Sequence, residues 1–493
     1  MVKRIPRIAH HRTSGIDSHV YIYAMLSRRI TLSAVKRGAQ LYSARFYSAL
    51  PQEKRILKAP SFDVKGIVSN IDRVVEVSKL RELPSTVVDK LPQIPLLYEE
   101  VRQLQTTLNT VLKEKNDAQR LVKKELKTSG TPSQELQSLQ LSLKTKEKEI
   151  STALSTKEKE LYSLVDLVPN DIHPSVQVKE DIVRWLNPRS QYEPDLKLEH
   201  DKIGVELGIL NLKSAATVSG SSWYYLVGDG ALLEQALVQY ALKLARKHGF
   251  ITVLPPSIVR NEVADACGFK PRDQNNEVQT YQLINDDLCL TGTAEIPLAG
   301  LGINRLFSEK ELPVRAVGLS RSYRAEAGAR GKDTRGLYRV HEFTKVELFV
   351  WATESQSENE LEKLRTFQEE FVSSLGLSAK VINMPSNDLG APAFKKYDIE
   401  AWMPGRGTFG EVTSASNCTD YQSRRLQTKY TSLADNKRKY VHTLNGTAVA
   451  VPRVIVAIIE NFYNHETRTV AIPRVLQPYM DDKTEISTQS KPF

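Results

Sequence analysis

The sequence predicts an α+β protein, in which an antiparallel-sheet domain follows an N-terminal antiparallel coiled-coil hairpin arm. Residues 96–168 contain no Trp or Phe and are rich in Lys, Glu, Gln and Leu, with apolar residues spaced alternately three and four apart. Two strand-like runs, one ending near Glu326 and one spanning Tyr338 to Val350, flank a Gly/Lys/Arg-rich loop of about ten residues, the pattern of an antiparallel hairpin. From about residue 173 the chain mixes helix and strand patterns.

A chain of 493 residues suggests two or three domains. With 41% hydrophobic and 26% charged residues it has globular composition. No stretch reaches the roughly 18 consecutive apolar residues of a membrane helix, so a soluble protein with no membrane insertion is expected. Cys267, Cys289 and Cys418 are too far apart for a disulfide framework or a paired-cysteine zinc site, which points to a reducing compartment.

The net charge of +10 is concentrated at one end. Residues 1–50 hold nine Lys and Arg against Asp17 alone, a local +8 that leaves +2 for the other 443 residues. Residues 25–47 are rich in Arg and Ser and contain no acid, the composition of an organelle transit peptide. Arg45-Phe46-Tyr47 before Ser48 resembles a matrix-protease cleavage site, and Met25 could serve as an alternative start. Residues 1–47 are therefore expected to direct the protein to the mitochondrial matrix; a basic RNA-binding arm is the other reading of the same charge.

In the first arm, Leu97, Val101, Leu104, Leu108, Val111, Lys115, Ala118 and Val122 form a heptad seam. Thr128 to Ser133, with Gly130 and Pro132 inside it, breaks the helix. A second seam is read through Leu136, Leu139, Leu143, Lys146, Ile150, Ala153, Lys157, Leu161 and Leu164, with Pro169 beyond its end. Periodicity alone fits a dimerisation coil. Twelve Lys and Arg against ten acids between residues 96 and 165 also permit scattered contacts to an RNA backbone.

Three clusters carry chemistry. Arg324 and Glu326, two apart, are expected on one strand face, and Arg339, Phe343 and Glu347, four apart, on one face of the next strand. Two arginines, two carboxylates and a ring make poor core material but suit a ligand with an anionic end, a planar base and an ammonium. In the second cluster, Asn445-Gly446-Thr447-Ala448 leads into a nearly all-apolar helix with Pro452 in its first turn and Arg453 at its start. That guanidinium requires an anion, either an internal carboxylate or a bound phosphate. The third cluster is Thr293-Ala294-Glu295 with Glu411-Val412-Thr413-Ser414, each string weak by itself.

Together these residues resemble the signature of class II aminoacyl-tRNA synthetases, in particular the seryl-tRNA synthetases, over about residues 60–475. Lys247-His248-Gly249-Phe250 through Leu254-Pro255-Pro256 looks like the family's first motif, with Pro256 at a homodimer interface. Arg324, Glu326, Arg339 and Phe343 look like the second, and Gly446 through Arg453 like the third. Ser416-Asn417-Cys418 is family-like, although Ala415 stands where a cysteine is common, and the polar segment 268–280 diverges.

The resemblance implies a class II synthetase antiparallel-sheet catalytic domain over 173–480, a tRNA-binding hairpin arm over 48–172 and a polar C-terminal tail over 481–493. It further implies a serine–tRNA ligase that uses ATP and Mg²⁺, with L-serine and tRNA(Ser) as substrates. Arg324 would bind the ATP α-phosphate and the serine carboxylate. Glu326 would hold the adenine amino group, Phe343 would stack on the base, and Arg339 and Arg453 would clamp the β- and γ-phosphates. Glu411 and Ser414 would ligate Mg²⁺. Thr293, Glu295 and Glu347 would surround the serine ammonium and hydroxyl, with Asn445 and Thr447 closing the pocket. A carrier-protein ligase of the same class would generally lack the long hairpin, and a non-catalytic relative would be expected to have lost some of Arg324, Glu326, Glu411 or Arg453.

Overall fold

The computed structural model describes residues 57, 60–269, 279–326 and 335–490; the predicted transit peptide and residues 270–278 of the divergent segment lie outside the described residues. Contacts divide the chain after Ile56, and everything below concerns the second unit, which begins at Leu57.

Short helices, among them α1 (Val64–Ser69) and α2 (Ile71–Leu80), precede the hairpin of α3 (Ile94–Ser129) and α4 (Gln134–Val165). At 1.5 Å per residue the longer arm spans about 54 Å. Gly130 takes the left-handed conformation (φ 75°) that closes α3, as a glycine readily does. Near the base, Leu91, Ile94, Leu161 and Val165 pack with apolar residues of α1 and α2. Beyond that base only isolated layers such as Val111, Ala118 and Leu143 are buried, so the arm has little core of its own.

Every expected seam position of α3 is buried or half-buried. In α4 the seven-residue anchors Leu136, Leu143, Ile150 and Lys157 face inward, but Leu139, Lys146 and Ala153 are exposed, and Gln140, Glu147 and Leu154 replace them. A heptad read as three-then-four or four-then-three shares the same anchors, and only the partner helix decides the intermediate position. Here Lys115 pairs with Glu147, and Lys157 lies 3.0 Å from Glu100, across the seam.

Eight strands form the main sheet: β1 (Asp181–Leu186), β2 (Ile251–Val253), β3 (Val314–Tyr323), β4 (Glu342–Ala352), β5 (Ala379–Asn383), β6 (Lys395–Met403), β7 (Thr408–Asn417) and β8 (His442–Ala450). Their order is β1-β5-β6-β7-β8-β4-β3-β2, antiparallel throughout except for the edge strand β2, which runs parallel to β3. The helices that concern the site are α5 (Asp229–Lys247), α6 (Glu295–Gly300), α7 (Glu354–Ser374), α8 (Tyr421–Leu426) and α9 (Val451–Phe462). α5, α7 and α9 contribute to one large core with the sheet.

Strand alternation separates core from chemistry. On β4, Val346, Leu348, Val350 and Ala352 enter the core with α5, α7 and α9, while Phe349 and Trp351 enter a second core with α6 and α8. Phe343, Lys345 and Glu347 continue that second face toward the start of the strand. Its period of two therefore runs from apolar to charged along one face.

The hairpin differs from the expected one. β3 ends at Tyr323 and β4 begins only at Glu342, so Arg324 and Glu326 lie beyond one strand and Arg339 precedes the other. The Arg324 N–H donates to His341 O at 2.9 Å, and Glu326 then turns the chain away at φ 46°. The assumption of one regular strand face fails because the ladder stops there. At the other end, Glu485–Ile486 pairs with Val470–Ala471 and buries Ile486, so part of the polar tail belongs to the fold. No helix among the described residues is long and apolar enough to cross a membrane.

Candidate active site

Eight of the expected residues line one cleft: Arg324, Glu326, Arg339, Phe343, Glu411, Ser414, Thr447 and Arg453. The other four, Thr293, Glu295, Glu347 and Asn445, form a polar cluster beside it in which Thr293, Glu295 and Glu347 are buried. Lys345 joins the two, since it lines the cleft and also contacts Thr293 and Glu347.

Irregular pairing aims these side chains. On β7, Glu411 pairs with Glu400 and Thr413 with Ile399, so Val412 is an extra residue. That bulge brings Glu411 and Ser414, an odd number apart, to the same cleft. On β8, Thr447 pairs with Glu347 and Val449 with Val346, so Ala448 is extra and Ala450 returns to the cleft beside Lys345. Gln368 of α7 donates to Ser414 O (2.6 Å) and Thr447 O (3.0 Å), satisfying carbonyls in this irregular region. Gly446 makes room for it: a Cβ there would stand 3.2 Å from Gln368 Nε2.

The cleft is a network of arginines and carboxylates. Arg453 pairs with Glu411 at 3.0 Å, and Arg339 with Glu326 at 3.2 Å. The Arg324 guanidinium sits 5.4 Å from the Phe343 ring centre and donates to Gly292 O at 3.4 Å. Burial and then the Arg453 charge pull Arg324 below the usual guanidinium range. Burial opposes ionisation of Glu411, but Arg453, Lys396 and Arg324 outweigh it and hold the carboxyl at about 2. Glu411 is thus a carboxylate at neutral pH. With the Ser414 hydroxyl it offers two hard oxygen donors, which suits a small divalent cation that keeps phosphate and water in its shell. Among the described residues no cluster of three His, Cys, Asp or Glu could cage a metal without such help.

In the buried cluster, Glu295 Oε1 accepts from Gln422 Nε2 (2.6 Å) and Asn445 Nδ2 (2.8 Å). Thr443 Oγ1 donates to Gln422 Oε1 at 2.7 Å, which orients that amide. Burial, followed by the nearby Glu347 charge, pushes the Glu295 carboxyl up to about 7. Lys345 Nζ lies 2.5 Å from Glu347 Oε2 and donates to Thr293 Oγ1 at 3.2 Å.

Sequence reasoning passed over Lys345 and Gln422. Lys345 was legible, because it stands between Phe343 and Glu347 on the same strand face; a spacing of four skips it. Gln422 carries no local signal, since α8 enters the site only through tertiary packing.

A family profile described as tRNA synthetase class II core domain (G, H, P, S and T) matches residues 279–462. The chain is 47% identical to the mitochondrial serine–tRNA ligase of Saccharomyces cerevisiae, over 87% of this chain and 97% of that protein. It is 40% identical to the mitochondrial serine–tRNA ligase of Schizosaccharomyces pombe, over 91% and 95% of the two chains. Among solved structures it resembles seryl-tRNA synthetase from Pyrococcus horikoshii complexed with ATP, with TM-score 0.76, 34% identity and coverage of 87% of this chain and all of that one. Shared sequence along almost the whole chain, a matching fold and the convergence of the motif residues on one cleft lead to one assignment: the chain belongs to the serine–tRNA ligases, class II synthetases that activate serine with ATP and transfer it to tRNA.

Proposed function

We propose that the cleft binds ATP, that the adjoining buried cluster binds L-serine, and that Arg324 serves both. The observation that carries this is the adjacency of the two sites across Arg324, Lys345 and Thr447. Phe343 stacks on adenine and Glu326 accepts its amino group. Arg339 and Arg453 exchange their present carboxylate partners for the β- and γ-phosphates. Thr293, Glu295 and Glu347 take the serine ammonium and hydroxyl, with Asn445 and Thr447 closing the pocket.

A serine carboxylate oxygen attacks the α-phosphorus. The new O–P bond forms as the bridging oxygen to the β-phosphate leaves with its electron pair, releasing pyrophosphate. The terminal ribose hydroxyl of tRNA(Ser) then attacks the seryl carbonyl and AMP departs. Activation requires no protein nucleophile; Arg324 orients both reactants and neutralises charge between them. Glu411 and Ser414 would hold Mg²⁺, which when bound supplies charge neutralisation at the phosphates. A pocket that hydrogen-bonds the substrate hydroxyl discriminates against alanine by roughly 10⁴ or more.

The hairpin grips tRNA(Ser), and the protein acts as a homodimer through the face around Pro256. In support, Ile251 is 65% and Leu254 77% exposed at the β2 edge. The N-terminal composition and the mitochondrial relatives support action in the mitochondrial matrix. The test of the site is Arg324→Ala, which should abolish serine-dependent ATP–pyrophosphate exchange while leaving the protein folded. Near-normal exchange would overturn the assignment.

A further inference from the structure

Lys345 is a buried cation that the mechanism above does not use. Its side chain is 10% exposed, and its ammonium occupies the space between Glu347 Oε2 and Thr293 Oγ1. The serine ammonium and hydroxyl are assigned to Thr293, Glu295 and Glu347, and a second ammonium cannot share the space between Glu347 and Thr293. Lys345 also lines the cleft with Arg324, Glu411 and Arg453, so an anionic destination lies within its own surroundings once phosphate is present.

We propose that Lys345 is a charge-exchange residue. In the free enzyme it neutralises Glu347. When the serine ammonium takes over Glu347 and Thr293, the lysine ammonium turns into the cleft and binds the anionic oxygens where the serine carboxylate and the α-phosphate meet. The inference rests on the reading of this cluster as the serine pocket.

Three physical facts support the exchange. A buried carboxylate left unpaired is strongly unfavourable, so Glu347 needs a cation before serine arrives. Serine brings one positive and one negative charge, so the swap leaves neither the carboxylate nor the lysine unpaired. A lysine carries its charge on a flexible four-carbon stem with three rotatable donors, which lets it change partners without backbone movement. The contribution of Lys345 is a positive charge delivered where negative charge concentrates during attack.

The deciding experiment is a crystal structure of the full-length enzyme with the non-hydrolysable sulfamoyl analogue of seryl-adenylate. The expected result places the analogue's ammonium on Glu347 and Thr293, with Lys345 Nζ moved from Glu347 to the sulfamoyl or carbonyl oxygens. An ammonium seated there with Lys345 still on Glu347 overturns the proposal alone. An ammonium seated elsewhere overturns the serine-pocket reading and this proposal with it. In exchange assays, Lys345→Met should leave the serine KM within about threefold and lower kcat on the order of 100-fold. Lys345→Arg, which restores charge, should recover part of kcat. A raised KM with unchanged kcat would make Lys345 a structural brace and overturn the proposal. Should the Met variant melt early, the crystal structure of the unsubstituted enzyme still decides.

Discussion

Glu411 and Ser414 are three residues apart on β7 yet line the same cleft, because the ladder to β6 skips Val412. A regular strand would send one of them into the core. If this pair holds Mg²⁺, Glu411→Gln should raise the Mg²⁺ concentration needed for half-maximal exchange by about tenfold, the weight of one charged ligand. Ser414→Ala should raise it less. Magnesium titration of the exchange rate checks both, and unchanged midpoints would leave the two residues with structural roles.

Glu295 supplies a pH signature. Its folded value of about 7 lies above the ordinary carboxyl value of 4.5, because burial and then Glu347 favour the neutral form. The carboxyl is mostly neutral at pH 6 and mostly ionised at pH 8. Only the ionised form attracts the serine ammonium. Serine kcat/KM should therefore rise about tenfold from pH 6 to pH 8, and Glu295→Gln should be weaker but flat over that range. A wild-type profile without this rise would show that Glu295 does not meet the ammonium as a carboxylate.

Phe343→Ala should raise the ATP KM by about tenfold or more and the serine KM much less, since base–aromatic stacking is worth roughly 1–3 kcal/mol. Equal increases would mean that the ring mainly supports Arg324, whose guanidinium lies 5.4 Å from its centre.

Replacing residues 108–154 with a short turn should leave adenylate formation nearly intact, because the base that packs on α1 and α2 is retained. Aminoacylation at limiting tRNA should fall by orders of magnitude, since many weak backbone contacts act together. The intact enzyme's tRNA affinity should fall with salt, though more gently than for a strongly basic arm. Normal charging by the shortened protein would reduce the hairpin to an oligomerisation element.

Residues 25–60 fused to a fluorescent reporter should carry it into mitochondria, and the imported product should begin near Ser48. A diffuse cytosolic signal would contradict the reading of the Arg-rich, acid-free segment.

The hairpin, its break at Gly130 and Pro132, and the residue types that meet in the cleft are all legible along the chain. These are local properties: a heptad repeat, a helix breaker, and polar side chains spaced at intervals that a core would not tolerate. Tertiary structure decided the rest. The inward face of α4 depended on α3, because Leu139 and Gln140 are equally compatible with the same heptad anchors. The aim of Glu411 depended on a bulge at Val412, which no period of two reveals. The setting of Arg324 depended on where β3 stops: its N–H still bonds to His341 O, in register with the ladder, but the His341 N–H goes to Ser222 O and makes no return bond to Arg324. Gln422 reached Glu295 only because α8 packs beside α6, bringing together residues 127 positions apart. Sequence periodicity records which side chains need burial or company, whereas register and packing decide which company they keep.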